Sequence, residues 1–312
     1  MELGLMVEPQ MGGSYADLVS LAKWAEASGF DTFARSDHYF SSGAPPHVTD
    51  ALTSLGGLAH ETQRIKLTAL VTPITFRHPG VIAKTASTLS EMSDGRFELG
   101  VGTGWMELEH EVFGIRLPPL GERFDRLEQA LAYLWTAFGR RTGGFHGSHY
   151  GLADVDVLPQ VGTAAPIVIG GSGMKRTPAL AGTYADEYNM FVTGQSVLDA
   201  RLAVMRRAAT EAGRDPDRIK VSMAVSPVVG DDAADYAERL AERASARDMT
   251  PEEYETVLDE RHIPHGTADL VGEQFDEMAS WGVDRVYLQQ FEPLDGIDLD
   301  AVRRTAALLR DL

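Results

Sequence analysis

Ser93-Asp94-Gly95-Arg96-Phe97-Glu98-Leu99-Gly100-Val101-Gly102-Thr103-Gly104-Trp105 is the stretch on which the fold turns. Asp94-Gly95 is a turn dipeptide. Phe97 to Val101 is mostly apolar and too short for a helix, as expected of a strand covered on both faces. Strands of that kind belong to parallel α/β proteins, whose ligands bind at the carboxyl ends of the strands. Gly100, Gly102 and Gly104 remove side chains where the strand ends, so a ligand can approach the backbone; a tight turn with a packing Trp105 reads equally well. The dinucleotide fingerprint is excluded, because Trp105 stands where G-x-G-x-x-G needs its third glycine.

Outward from this stretch, short apolar strands begin at residues 3, 32, 65, 97, 167, 187, 221 and 285, and most run promptly into a helix. Tyr15 to Ser28 carries Leu18, Leu21, Ala22 and Ala25 on one stripe and stops at Gly29. Asp50 is a good N-cap for a helix reaching Glu61, and Pro79 opens one ending near Met92. Eight strands in this alternation predict one closed (β/α)8 TIM barrel over residues 1–312, with a doubly wound sheet as the runner-up. Insertions interrupt the pattern at 143–161, with a small hairpin between Phe145 and Gly151, and at 231–265, with two acidic helices. Val221 to Val229 reads as a single strand.

A chain of 312 residues buries about three quarters of its unfolded surface and needs no staples. It has no cysteine, which excludes disulfides, cysteine-zinc sites and thiol nucleophiles. Lys and Arg number 28 against 46 Asp and Glu, and the formal charge of −18 repels phosphate backbones and anionic membranes. No nucleic acid or membrane partner is expected. Met1-Glu2-Leu3-Gly4 lacks a basic leader and Leu3 to Val7 is too short for a span, so the expected address is cytoplasmic.

Asp37-His38 follows the second strand, at the active face of a barrel. Imidazole exchanges protons near neutral pH, and the adjacent carboxylate is a candidate to orient it; the bland alternative is a loop-capping Asp beside a structural His. Arg77 and His78 at a helix start make an anion-friendly corner or an ordinary loop. Gly170-Gly171-Ser172-Gly173 before Lys175 and Arg176 is the strongest phosphate signal: glycines free backbone N–H groups at a helix start and two cations reinforce them, against a plain glycine turn. It is neither a P-loop nor a G-x-S-x-G elbow. His146 with His149, and His262 with His265, show no third metal ligand, and no metal is expected. Glu107 and Glu109 are further proton-donor candidates.

Together, Ser36-Asp37-His38, Leu70-Val71-Thr72, Arg77-His78-Pro79, Gly95 to Trp105, Pro119 to Leu127, Ile169 to Gly173 and Tyr184 to Asn189 resemble the bacterial luciferase-like flavin and deazaflavin oxidoreductases, most of all the branch using coenzyme F420. The resemblance implies a barrel with the cofactor ring over its carboxyl face. It places Asp37 and His38 beside the ring, His38 stabilising charge or moving a proton. A non-prolyl cis peptide would support the ring at Ala69-Leu70 or one residue later, near Thr72. Gly102, Thr103 and Gly104 would line the tail or ring edge, and Gly170, Gly171, Ser172 and Gly173 the phosphate. Trp105 and the loop from Ser41 to Val48 would bound the substrate pocket. Sugar-phosphate dehydrogenases of this family carry Glu where this chain has Trp105, which weakens that substrate. The resemblance also implies a homodimer. Three functions follow for test: an F420-dependent oxidoreductase of a small molecule, an FMN-dependent monooxygenase fed by a reductase, and a non-catalytic binding barrel.

Overall fold

In a computed structural model, residues 1–42, 48–155 and 164–310 are described. Eight parallel strands form the barrel: β1 (Glu2–Val7), β2 (Thr32–Arg35), β3 (Lys66–Ala69), β4 (Phe97–Gly102), β5 (Ile167–Gly170), β6 (Glu187–Phe191), β7 (Lys220–Val225) and β8 (Arg285–Gln290). β1 pairs with both β2 and β8, and the ring closes where Leu67 and Thr68 of β3 face Phe97 and Glu98 of β4. All eight expected strands form, in a closed parallel barrel.

The outer layer is built from α1 (Tyr15–Ala27), α2 (Ala51–Glu61), α3 (Pro79–Met92), α4 (Glu107–Val112), α5 (Leu120–Ala137), α6 (Arg176–Tyr184), α7 (Gln195–Glu211), α8 (Ala233–Ser245), α9 (Pro251–Glu260), α10 (Ala268–Ser280) and α11 (Leu299–Arg310). Their ends follow local chemistry. Ser14 and Asp17 form a capping box on α1, and Asp50 accepts from the Thr53 amide at the start of α2. Leu18, Leu21, Ala22 and Ala25 are buried against the sheet, as their stripe requires.

Side chains alternate along each strand, so the barrel interior can be followed in layers. At the amino-terminal end the interior is charged. Arg285, fully buried, meets Glu2 at 2.5 Å, Glu98 at 2.7 Å and Glu187 at 2.8 Å, and donates to the Tyr287 hydroxyl at 2.7 Å. Burial opposes the Arg285 charge, yet Tyr287, Glu98 and Glu187 hold it well above the ordinary arginine range. Above this plug lies a small apolar layer of Met6, Ala34, Leu70, Val168, Ala224 and Tyr287, with Val71 against it. The large apolar core lies outside the barrel, between strands and helices.

Two features differ from expectation. The run Val221 to Val229 breaks at Ser226-Pro227, because proline cannot donate to a ladder; β7 ends at Val225 and Val228–Gly230 pairs instead with His265–Thr267. The acidic helices α8 and α9 pack on that pair around their own small core of Val228, Leu240, Ala244, Tyr254 and Leu258. Glu107–Val112, for which the sequence suggested no helix, is the short helix α4. The hairpin of the first insertion is present, Phe145–His146 against Gly151–Leu152, while its continuation over 156–163 lies outside the described residues.

Candidate active site

The carboxyl ends of the strands bring Glu8, Ser36, Asp37, His38, Leu70, Thr72, Gly102 and Gly170 to one mouth. The Asp37-His38 dipeptide is there, but the two side chains part. Asp37, its carboxylate fully buried, is gripped by Arg77 at 2.5 Å and accepts from the Thr72 hydroxyl at 2.9 Å. Arg77 also bonds Asp50 and the Tyr39 hydroxyl. Arg77 is thus neutralised, and His78 caps α3 by accepting from the Gly80 amide, so of the two readings of this corner the anion-friendly one is closed. Despite partial burial, the Thr53 amide and the Arg77 charge hold Asp50 down to about 2.

The carboxylate that orients His38 is Glu109, on α4. Its Oε1 lies 3.0 Å from His38 Nδ1, and its Oε2 accepts from the Tyr39 amide at 3.0 Å. An ionised carboxylate only accepts, so the proton sits on Nδ1, and Nε2 is left to exchange protons. Burial disfavours the His38 charge, but the Glu109 hydrogen bond and charge outweigh it, aided by Glu8 and Asp37, and the imidazole pKa is raised. α4 is itself pinned by His110, which donates from Nδ1 to the Met106 carbonyl at 2.7 Å and accepts at Nε2 from the Thr75 hydroxyl at 2.8 Å. Glu109 was among the sequence candidates, but its role was not legible, because six helical residues between two glycines show no usable period.

Glu8, at the end of β1, went unread altogether. Its buried carboxylate accepts from Gln289 at 2.5 Å and Gln10 at 2.6 Å, and Gln10 accepts in turn from Ser36 at 2.7 Å. A lone Glu-Pro after a strand carries no sequence signal.

The one non-prolyl cis peptide bond among the described residues joins Leu70 to Val71, one bond beyond Ala69-Leu70. Val71 faces the glycine strands. A Cβ on Gly102 would stand 2.7 Å from Val71 Cγ2, one on Gly170 2.8 Å from Val71 Cγ1, and one on Gly100 1.9 Å from the Ala69 carbonyl. These glycines therefore make room for the bulge after β3, and ligand approach is not what first requires them. Gly104 needs glycine for its φ of +74° and for contact with Thr75.

In the glycine turn after β5, the Gly171 amide is spent on the Asn189 carbonyl, and the Ser172 carbonyl accepts from Arg201 at 2.7 Å. Ser172 and Gly173 are exposed, and their amides have no protein acceptor among the described residues. α6 begins at Arg176 with no side-chain cap. Arg176 does not reinforce this anion site; it pairs with Asp125 at 2.7 Å and Glu128 at 3.3 Å. Lys175 remains exposed beside the turn. Trp105 is 67% exposed and meets His38 edge-on, ring centres 5.6 Å apart. Residues 43–47 of the loop expected over the mouth lie outside the described residues. Among the described residues no cluster can hold a metal ion, and no helix is long and apolar enough to cross a membrane.

The model of the luciferase-like monooxygenase family matches residues 1–285. The F420-dependent glucose-6-phosphate dehydrogenase of Microbacterium testaceum (strain StLB037) is 34% identical over 217 residues, covering 67% of this chain and 63% of that relative. The match thus spans less than two thirds of the relative's length. Pyrimidine monooxygenase RutA of Yersinia enterocolitica is 31% identical over 177 residues, 54% of this chain and 47% of that one. The fold is shared with an F420-dependent secondary alcohol dehydrogenase solved in complex with an F420-acetone adduct, with TM-score 0.80 and 21% identity over 99% of each chain. A barrel of this topology and a family match over nearly its whole length lead to one conclusion: the chain belongs to the luciferase-like monooxygenase family.

Proposed function

We propose that this protein is an F420-dependent oxidoreductase acting on a small organic substrate. The observation that carries the reading is the His38–Glu109 pair at the barrel mouth, next to the Leu70-Val71 bulge. The residues fit the cofactor: exposed amides of Ser172 and Gly173, an uncapped helix start and Lys175 suit a phosphate, with Gly170 and Gly171 shaping the turn. Asp37, His38, Ala69, Leu70, Thr72, Gly102, Thr103 and Gly104 would surround the ring. When bound, the deazaflavin supplies or accepts a hydride.

The chain's own part is proton handling. Glu109 keeps a proton on Nδ1, so His38 Nε2 gives one to a substrate oxygen in reduction or takes one in oxidation. The raised imidazole pKa keeps the donor form available closer to neutral pH. Replacing His38 by Asn should lower kcat by about 10²–10⁴-fold while F420 still binds, read by steady-state turnover and cofactor fluorescence. Unaltered turnover would remove His38 from the reaction. An FMN-dependent monooxygenase is the second reading, favoured by the likeness to pyrimidine monooxygenase RutA. It predicts flavin-supported oxygen consumption in the presence of a reductase.

A further inference from the structure

We propose that the mouth of this barrel selects an uncharged substrate with an apolar or aromatic body, and rejects phosphorylated sugars; this rests on the hydride-transfer reading of the same site. The first observation is a collar of exposed rings. On β6, Glu187 and Asn189 face the barrel interior, where they share the Ser222 hydroxyl. Alternation then turns Phe191 to the same side at the mouth, and it is 59% exposed. On β8, Arg285, Tyr287 and Gln289 face inward, and Phe291 continues that alternation one step past the strand, 39% exposed. Trp105, after β4, lies against His38. Large apolar side chains left exposed around a concave mouth mark a surface that binds apolar matter.

The second observation is the supply of cations. A bound phosphate needs charge-assisted donors to replace its water. The loops after β1, β2, β6 and β8 hold no Lys or Arg, and neither do the segments 43–47 and 156–163. In the other loops the cations are engaged. Arg77 serves Asp37 and Asp50, Arg116 serves Glu122, Arg239 serves Asp235, Arg243 lies 3.4 Å from Glu292, and Arg247 covers the Tyr254 ring. Arg123 donates to the Gly104 carbonyl, and its Nε is buried. Among the described residues of these loops only Lys175 and Arg261 have side chains without a partner, and Lys175 adjoins the turn assigned to the cofactor phosphate. A second phosphate would meet a strongly acidic protein whose mouth loops offer it, beyond Lys175, only Arg261 as an unengaged cation.

Equilibrium binding decides this without turnover. The full chain is titrated with acetophenone, glucose and glucose 6-phosphate, following free ligand by equilibrium dialysis, with and without F420. Acetophenone should saturate below about 1 mM, and glucose 6-phosphate should give no saturation at tenfold higher concentration. Trp105→Ala and Phe191→Ala should each weaken acetophenone about tenfold, Trp105→Phe should recover most of it, and melting temperatures should hold. Tighter binding of glucose 6-phosphate than of acetophenone overturns the proposal, as does wild-type acetophenone binding by both alanine variants. Failure of the cofactor reading is seen separately, as a flat F420 titration in a protein that still binds acetophenone.

Discussion

At the scale of single residues, the site depends on which carboxylate serves which cation. Sequence adjacency suggested that Asp37 orients His38, yet Asp37 is taken by Arg77 and Thr72 and Glu109 holds the imidazole. All five residues stood among the candidates; their pairing did not, since contacts across 71 and 40 positions leave no local pattern. The pairing has a pH consequence. A histidine whose folded pKa is raised contributes stability that is complete below its ordinary value near 6.5 and is lost as pH rises through the raised value. Glu109→Gln removes the charge and the strong acceptor while burial remains, so the imidazole pKa falls. The acid limb of kcat/KM for oxidation of a substrate should therefore move to lower pH. The variant's stability deficit should be largest in acid and shrink above neutrality, and a pH profile beside urea unfolding at two pH values checks both. A limb that stays in place would separate Glu109 from proton transfer.

At the scale of elements, strand existence was legible and strand ends were not. Runs such as Ile167-Val168-Ile169 announce buried parallel strands, and their spacing announces the helices between them. The break after Val225 turns on Pro227 and on a pairing partner, His265–Thr267, far along the chain. Glycines also carried a meaning different from the one first read. Gly102 and Gly170 face Val71 of the bulge, so they encode the packing of β3 against β4 and β5. Gly102→Ala should cost about 1–3 kcal/mol through overpacking, and adding Val71→Ala should return much of it. Gly100→Ala, whose new methyl meets the Ala69 backbone carbonyl, should not be rescued by the same change. Urea unfolding of the three single variants and the two double variants measures the coupling; additivity of Val71→Ala with Gly102→Ala would contradict it.

At the scale of the whole molecule, eight strands and their closure into a barrel followed from the sequence, while the buried charge inside it did not. Glu2, Glu98, Glu187 and Arg285 lie on four strands and meet only because the sheet closes. Burial pushes the Glu187 carboxyl up even with Arg285 beside it, which shows how much the plug relies on that one guanidinium. Arg285→Met should destabilise the fold by about 3–5 kcal/mol, since it leaves buried carboxylates unpaired, and calorimetry should show the drop in melting temperature. The opposite end of the barrel is left to carry function, with His38, Glu109 and the glycine turn on one rim. The central claim is that this rim holds a deazaflavin. A fluorescence titration with F420 and FMN side by side tests it most directly: micromolar or tighter binding of F420, with FMN much weaker, is the predicted result, and tighter binding of FMN would contradict it.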